Sequence, residues 1–162
     1  MAKDIVQVSP EKFPWLDLNR YSFSMGCMKG DFLVIAGQTA SCFYPDEGHI
    51  RCKGDVVEQT KLAWEKIGTV LDAAGMSYDN IVKTVDYIDP TALPKYRGTA
   101  EVRRQYLGDS PVAATGIISH DILRPDALIE INAVAVKGKK EIVFPTGPDF
   151  EHYKGVTYTP GV

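Results

Sequence analysis

The sequence predicts an α+β domain: one mixed β-sheet carrying two helices on one of its faces. Three observations lead there. Strand-like and helix-like patterns follow one another in the order β-β-(β)-α-β-α-β-β, which suits helices gathered on one side of a sheet. The stretch 55–74 repeats apolar residues at helical spacing throughout. The run Phe32-Leu33-Val34-Ile35-Ala36 is apolar at consecutive positions, the pattern of a strand covered on both faces. A length of 162 residues suits one domain. It is expected over 1–140, followed by an extended Pro- and Gly-containing tail over 141–162.

The elements can be justified in order. Residues 20–26 read as a short strand, because Tyr21, Phe23 and Met25 alternate onto one face. Lys29-Gly30-Asp31 signals a turn, and the apolar strand 32–36 follows, ended by Gly37. Pro45, Asp46, Glu47 and Gly48 mark a loop, with a short strand expected around 49–52. Asp55 is a fitting N-cap for the long helix, and Glu58 three residues on completes a capping-box pattern. Val56, Thr60, Ala63, Trp64, Ile67, Val70, Leu71 and Ala74 form its apolar stripe, and Gly75 its stop. A strand over 81–88 ends at Asp89-Pro90. A second helix is expected from Pro94, suited to a first turn, to Leu107. Its stripe is Tyr96, Ala100, Arg103 and Leu107, which points Arg103 inward. Gly108-Asp109-Ser110-Pro111 closes it. Strands over 112–119 and 127–136 complete the domain, joined through Arg124-Pro125-Asp126. A sheet apolar on both sides needs a cover opposite the helices, and further copies of the same chain supply one, so a homo-oligomer is expected.

Composition narrows the function classes. Hydrophobic residues make up 44% and charged residues 24%, a globular balance rather than a disordered one. The net charge of −3 lacks the basic excess of a phosphate-neutralising nucleic-acid binder, so no nucleic-acid partner is expected. No apolar run approaches the ~18–20 residues that span a bilayer, and no membrane partner is expected. The start Met1-Ala-Lys-Asp-Ile-Val has no apolar signal core, which makes the cytoplasm the expected compartment. Cys27, Cys42 and Cys52, with His49, His120 and His152, show no metal-ligand spacing; the cysteines are read as reduced and structural, and no metal site is expected.

Several runs occur together in order. These are Gly30-Asp31 through Ile35-Ala36-Gly37-Gln38, then Gln59-Thr60, the stretch from Leu71-Asp-Ala-Ala-Gly-Met-Ser to Ile81-Val-Lys-Thr-Val, and Leu128-Ile-Glu-Ile-Asn-Ala-Val-Ala-Val. Together they resemble the reactive-intermediate deaminase family (Rid, also called YjgF or L-PSP) over roughly 21–136. The resemblance implies a chorismate-mutase-like fold, a barrel-cored homotrimer with clefts between subunits, and cofactor-free hydrolysis of an enamine or imine that releases ammonia and leaves a keto acid. In the family's Pro-Ala-Arg motif an arginine holds the substrate carboxylate. Here the motif reads Pro111-Val112-Ala113-Ala114-Thr115-Gly116, with Ala113 in the arginine's place, and resembles branches with a Pro-Ala-Ser-Thr-Gly type motif. Alanine cannot replace a guanidinium fork. The resemblance therefore implies a small conjugated substrate other than a simple 2-imino acid, such as an aminomuconate-like intermediate. The alternative is a catalytically silent small-molecule-binding or regulatory trimer of the same fold.

Site residues follow residue by residue. Glu130 matches the family's glutamate of the last strand; between Ile129 and Ile131 it suits a pocketed carboxyl that handles water, or else a structural ion pair. Tyr21 matches a cleft-lining tyrosine able to donate a hydrogen bond or stack on a conjugated substrate, or is a core aromatic. Gly37 allows backbone to approach a ligand closely, or is a turn glycine. Thr115 and Gly116 occupy the altered motif and offer a hydroxyl and a backbone N–H. A cation for an anionic substrate is sought among Arg97, Arg103 and the loop residues His120 and Arg124, with Arg97–Glu101 pairing as the bland alternative for Arg97.

Overall fold

The computed structural model describes residues 6–8, 22–42, 49–108 and 112–139. Tyr21 and the tail 141–162 lie outside the described residues. Six strands form one sheet: β1 (Val6–Val8), β2 (Gly26–Lys29), β3 (Phe32–Gln38), β4 (Ile81–Ile88), β5 (Ala113–Ile118) and β6 (Ile129–Val136). Their spatial order is β1-β2-β3-β6-β4-β5. Among the described residues only β4 and β5 run parallel, and every other strand pairing is antiparallel. The helices are α1 (Val56–Ala73), α2 (Leu93–Tyr96) and α3 (Thr99–Leu107).

The Gly30-Asp31 turn joins β2 to β3, with Gly30 at φ +57° and Lys29 opposite Phe32. That register places the first described hairpin strand directly against the turn. The strand is therefore 26–29 rather than 20–26, because the ladder grows from the tight loop and not from the Tyr21/Phe23/Met25 alternation. β3 runs through Gly37 to Gln38, with a bulge between Ile35 and Gln38 opposite Ala133 and Ile131. Gly37 thus sits within a bulged strand and does not end it. The strand expected around 49–52 reduces to a single bridge, Ser41 to Ile50.

α1 begins as its sequence requires. The Asp55 carboxylate accepts from the N–H groups of Val57 and Glu58 at 3.0 and 3.2 Å; Glu58 makes no return bond, so half of the capping box forms. Its far end is a Schellman turn: Gly75 at φ +66°, with Met76 N–H on the Leu71 carbonyl and Gly75 N–H on that of Asp72. The stripe from Val56 to Leu71 is buried against Leu33 and Ile35 of β3 and Ile129, Ile131, Ala133 and Ala135 of β6. Burying each large apolar side chain of that kind contributes roughly 1.5–3 kcal/mol.

The second expected helix is broken. A 3-10 turn over Pro90–Ala92 leads into α2, and Arg97-Gly98 separates α2 from α3. Arg97 and Gly98 keep helical dihedrals, at φ −56°, ψ −31° and φ −61°, ψ −22°, and a Cβ on Gly98 would lie 2.8 Å from Val57 Cγ2 of α1, so the glycine lets this turn lie close against the long helix. Arg103 of α3 does point inward, onto Asp86 of β4.

α1 covers β3 and β6, and α3 packs on α1, so the helices share one face of the sheet. The opposite face is open in the protomer. Leu33 and Ile35 are buried, while Phe32 and Val34 are 59% and 55% exposed. The continuous apolar run is thus half-covered within one chain. Among the described residues no helix is long and apolar enough to cross a membrane.

Candidate active site

Glu130 projects from β6 on the open side of the sheet, opposite Tyr87 of β4. Its neighbour across the bulge is Gly37, where a Cβ would stand 2.0 Å from the Glu130 Oε1 and 2.6 Å from the Asn132 Oδ1. The glycine is needed because the carboxylate occupies the space of its missing side chain. The bulge carries β3 away from regular pairing, and Gln38 turns its amide onto the Ala36 carbonyl at 2.8 Å.

Both residues line a cavity of about 270 Å³. Phe23, Met25 and Leu123 form its apolar side; Thr39, Ser41 and Lys66 form its polar wall, and Arg124 completes it. Lys66 reaches in from α1. Its Nζ donates to the Thr39 carbonyl at 3.1 Å, the Ser41 carbonyl at 3.2 Å and the Ser41 hydroxyl at 2.7 Å, tying the segment after β3 to the helix. Burial, followed by repulsion from Arg124, lowers its pKa to about 8. Burial raises the Glu130 pKa, against the pull of Arg124 and Lys66. A carboxyl so placed exists in both protonation states closer to neutrality than an exposed one does.

The loop before β6 is fixed from behind. Gln59 of α1, fully buried, donates to the Asp126 carbonyl at 3.0 Å and accepts from the Leu128 N–H at 2.7 Å. Asp126 takes a positive φ of 67°, and the Ala127 N–H closes a turn on the Arg124 carbonyl. Arg124 is thus carried on a braced loop.

Of the residues singled out in the sequence, Glu130, Gly37 and Arg124 come together. Tyr21 lies outside the described residues. Thr115 and Gly116 fall on opposite sides of β5: Thr115, facing Val85, accepts from the Lys83 ammonium, whereas Gly116 lies opposite Asp86 with Ile88 as its near neighbour. Neither lines the cavity, and neither do Arg97 or His120, both exposed. Glu101 pairs with Arg104 at 2.9 Å. Arg103 is held on the helix side, its guanidinium 2.7 Å from Asp86, with side chains 25% and 3% exposed; Tyr96 also donates to that carboxylate at 3.2 Å. Burial raises the Asp86 pKa more than Arg103 lowers it. This buried pair braces α3 against β4 on the face away from Glu130. Lys66 was missed, and a signal existed: Gln59, Ala63, Lys66 and Val70 recur at helical spacing, so two polar residues sat on a buried stripe. Among the described residues no cluster of three or more His, Cys, Asp or Glu could hold a metal ion.

The family model described as endoribonuclease L-PSP matches residues 17–137. The chain belongs to this family. Its L-PSP relatives include a RutC family protein of Pyrococcus horikoshii, 35% identical over 116 residues, spanning 71% of this chain and 86% of the relative. A 2-iminobutanoate/2-iminopropanoate deaminase of Mus musculus is 30% identical over 107 residues, spanning 65% and 74%. Among solved structures, the Rid family protein YyfA of Yersinia pestis superposes with a TM-score of 0.70 at 22% identity, covering 82% of this chain and 98% of that one. That likeness speaks for the L-PSP fold alone.

Proposed function

We propose that this L-PSP protein is a cofactor-free hydrolase of imines or enamines, with Glu130 as its acid–base group and a small conjugated molecule as substrate. The observation that carries the reading is the Glu130 carboxyl standing in an open cavity against a glycine whose side chain it replaces. Burial supplies the raised pKa that such work needs. The deaminase name of the mouse relative supports the reaction class.

In this reading protonated Glu130 gives its proton to the imine nitrogen. The resulting carboxylate takes a proton from water as the oxygen bonds to the iminium carbon. Glu130 then gives its proton to the nitrogen of the carbinolamine, and as the C–N bond breaks to release ammonia the carbinolamine hydroxyl returns a proton to Glu130, leaving a carbonyl and the protonated carboxyl that began the cycle. An enamine first takes the proton at carbon to become the iminium. Water and imine are consumed one for one, with no change of oxidation state. The open face of the sheet, with Phe32 and Val34 exposed, suits the proposed homotrimer, in which a neighbouring copy walls the cavity. The cytoplasm remains the proposed compartment.

The test is hydrolysis of freshly generated imines, followed by semicarbazide competition. Wild type is expected to accelerate ammonia release, and Glu130→Gln to lose about 100-fold or more, the usual range for a proton-transfer group. Equal rates in the two proteins sink the proposal. Ligand-dependent thermal protection without turnover supports the silent-binder alternative instead.

A further inference from the structure

The charges in the cavity are unevenly matched. Lys66 and Arg124 are two cations against the one carboxylate of Glu130, and the two cations repel each other strongly enough for Arg124 to lower the Lys66 pKa. Lys66 is committed to the Thr39 and Ser41 oxygens. Arg124 differs. No carboxylate among the described residues forms an ion pair with it, and its side chain is exposed on a loop that Gln59 holds still. Beside it Leu123 is 89% exposed, and both residues line the cavity with Phe23. A braced guanidinium next to apolar surface suits a molecule with an anionic end and a flat apolar body. Binding an anion there also relieves the repulsion between the two cations.

We propose that the cavity takes a small carboxylate-bearing substrate, with the carboxylate on the Arg124 guanidinium, the apolar body against Phe23 and Leu123, and the reactive C=N end toward Glu130. The orientation of the reactive end rests on the hydrolase reading above; the anion site does not. Arg124 is then a specificity-determining residue. It supplies from the loop before β6 a cation that Ala113 on β5 cannot.

The test separates the two readings by measuring binding without turnover. Dissociation constants are measured by calorimetry for pyruvate, crotonate and sorbate, each against its uncharged primary amide, at low salt. Wild type is expected to prefer at least one acid over its amide by about tenfold or more, as a charge-assisted fork–carboxylate contact implies. Arg124→Gln should abolish that preference with an unchanged melting temperature, and Arg124→Lys should keep part of it. Glu130→Gln, which removes a like charge, should keep or strengthen it. The proposal is overturned if wild type prefers none of the acids, or if Arg124→Gln retains the preference. A Glu130→Gln variant that still hydrolyses imines fails the hydrolase reading while leaving the acid preference standing.

Discussion

Gly37 has no side chain, and Glu130 stands where one would be. Gly37→Ala is therefore expected to act on chemistry more than on folding. The atoms in the way belong to the ends of the Glu130 and Asn132 side chains, which can swing aside, so the stability loss should stay near 1 kcal/mol or below, at the lower end of overpacking costs. Activity should fall toward that of Glu130→Gln, and the comparison of kcat with unfolding midpoint checks the split. Lys66 makes a second residue-scale prediction. Its folded pKa of about 8 lies below the ordinary 10.5. Burying the charged form carries a destabilising cost that is fully present below pH 8 and is relieved as pH rises from 8 to 10.5. Urea unfolding across that window should show wild type gaining about 2 kcal/mol relative to Lys66→Met, since each pK unit is worth about 1.4 kcal/mol; parallel curves for the two proteins would contradict the burial. At this scale the sequence was partly readable. Glu130 announced itself as a lone carboxyl between isoleucines in an alternating strand. Arg124 was visible as a loop cation able to reach a cleft, but not as one held in place, because the brace on its loop comes from Gln59, far away along the chain. Arg103, correctly pointed inward by its stripe, proved to be answered by Asp86, a pairing that spacing within one helix could not reveal.

α1 is the element most fully dictated by its residues: cap, stripe and Schellman stop all fall where the pattern puts them. Its one oddity is Gly68 in mid-helix. The Tyr78 hydroxyl lies 2.1 Å from where a Cβ would be, with ring carbon Cζ at 2.8 Å, while the same hydroxyl donates to the Trp64 carbonyl at 2.9 Å. Trp64, Tyr78 and Tyr106 pack around that point with centroids 5.2–6.2 Å apart, Trp64 stacked on Tyr106 and Tyr78 tilted against both. Alanine is the better helix former by about 1 kcal/mol, yet Gly68→Ala should destabilise by about 1–3 kcal/mol, because a ring in a packed trio cannot retreat cheaply. Combined with Tyr78→Phe, the two losses should add to less than their sum in a double-mutant cycle. Elsewhere the elements were legible in kind and less so in extent. The close approach of Gly98 to Val57 of α1 is a tertiary event that the pattern within one helix does not reveal, and the β2 boundary follows the register of the hairpin.

For the whole molecule, the side of the sheet without helices is the controlling feature. Its apolar residues on β3 gave the expectation of a homo-oligomer from sequence alone, since alternation within an all-apolar strand leaves one set of side chains for a partner. Sedimentation should give three times the protomer mass of 17.9 kDa, and Val34→Glu, which sets a charge on that face, should shift the population to smaller species; a wild-type protomer mass at micromolar concentration would contradict the trimer. The outermost strand has a further consequence. Among the described residues the sheet stops at β5, whose six residues, Ala-Ala-Thr-Gly-Ile-Ile, include no charge and no proline. The usual guards of a sheet margin are therefore missing from it. If the proposed homotrimer covers this edge, a subunit parted from its copies would present a bare selvedge to any stray segment in solution, so extreme dilution should yield clumps instead of tidy monomers. In that assembly the working lifetime of the protein would be governed by how seldom its copies let go.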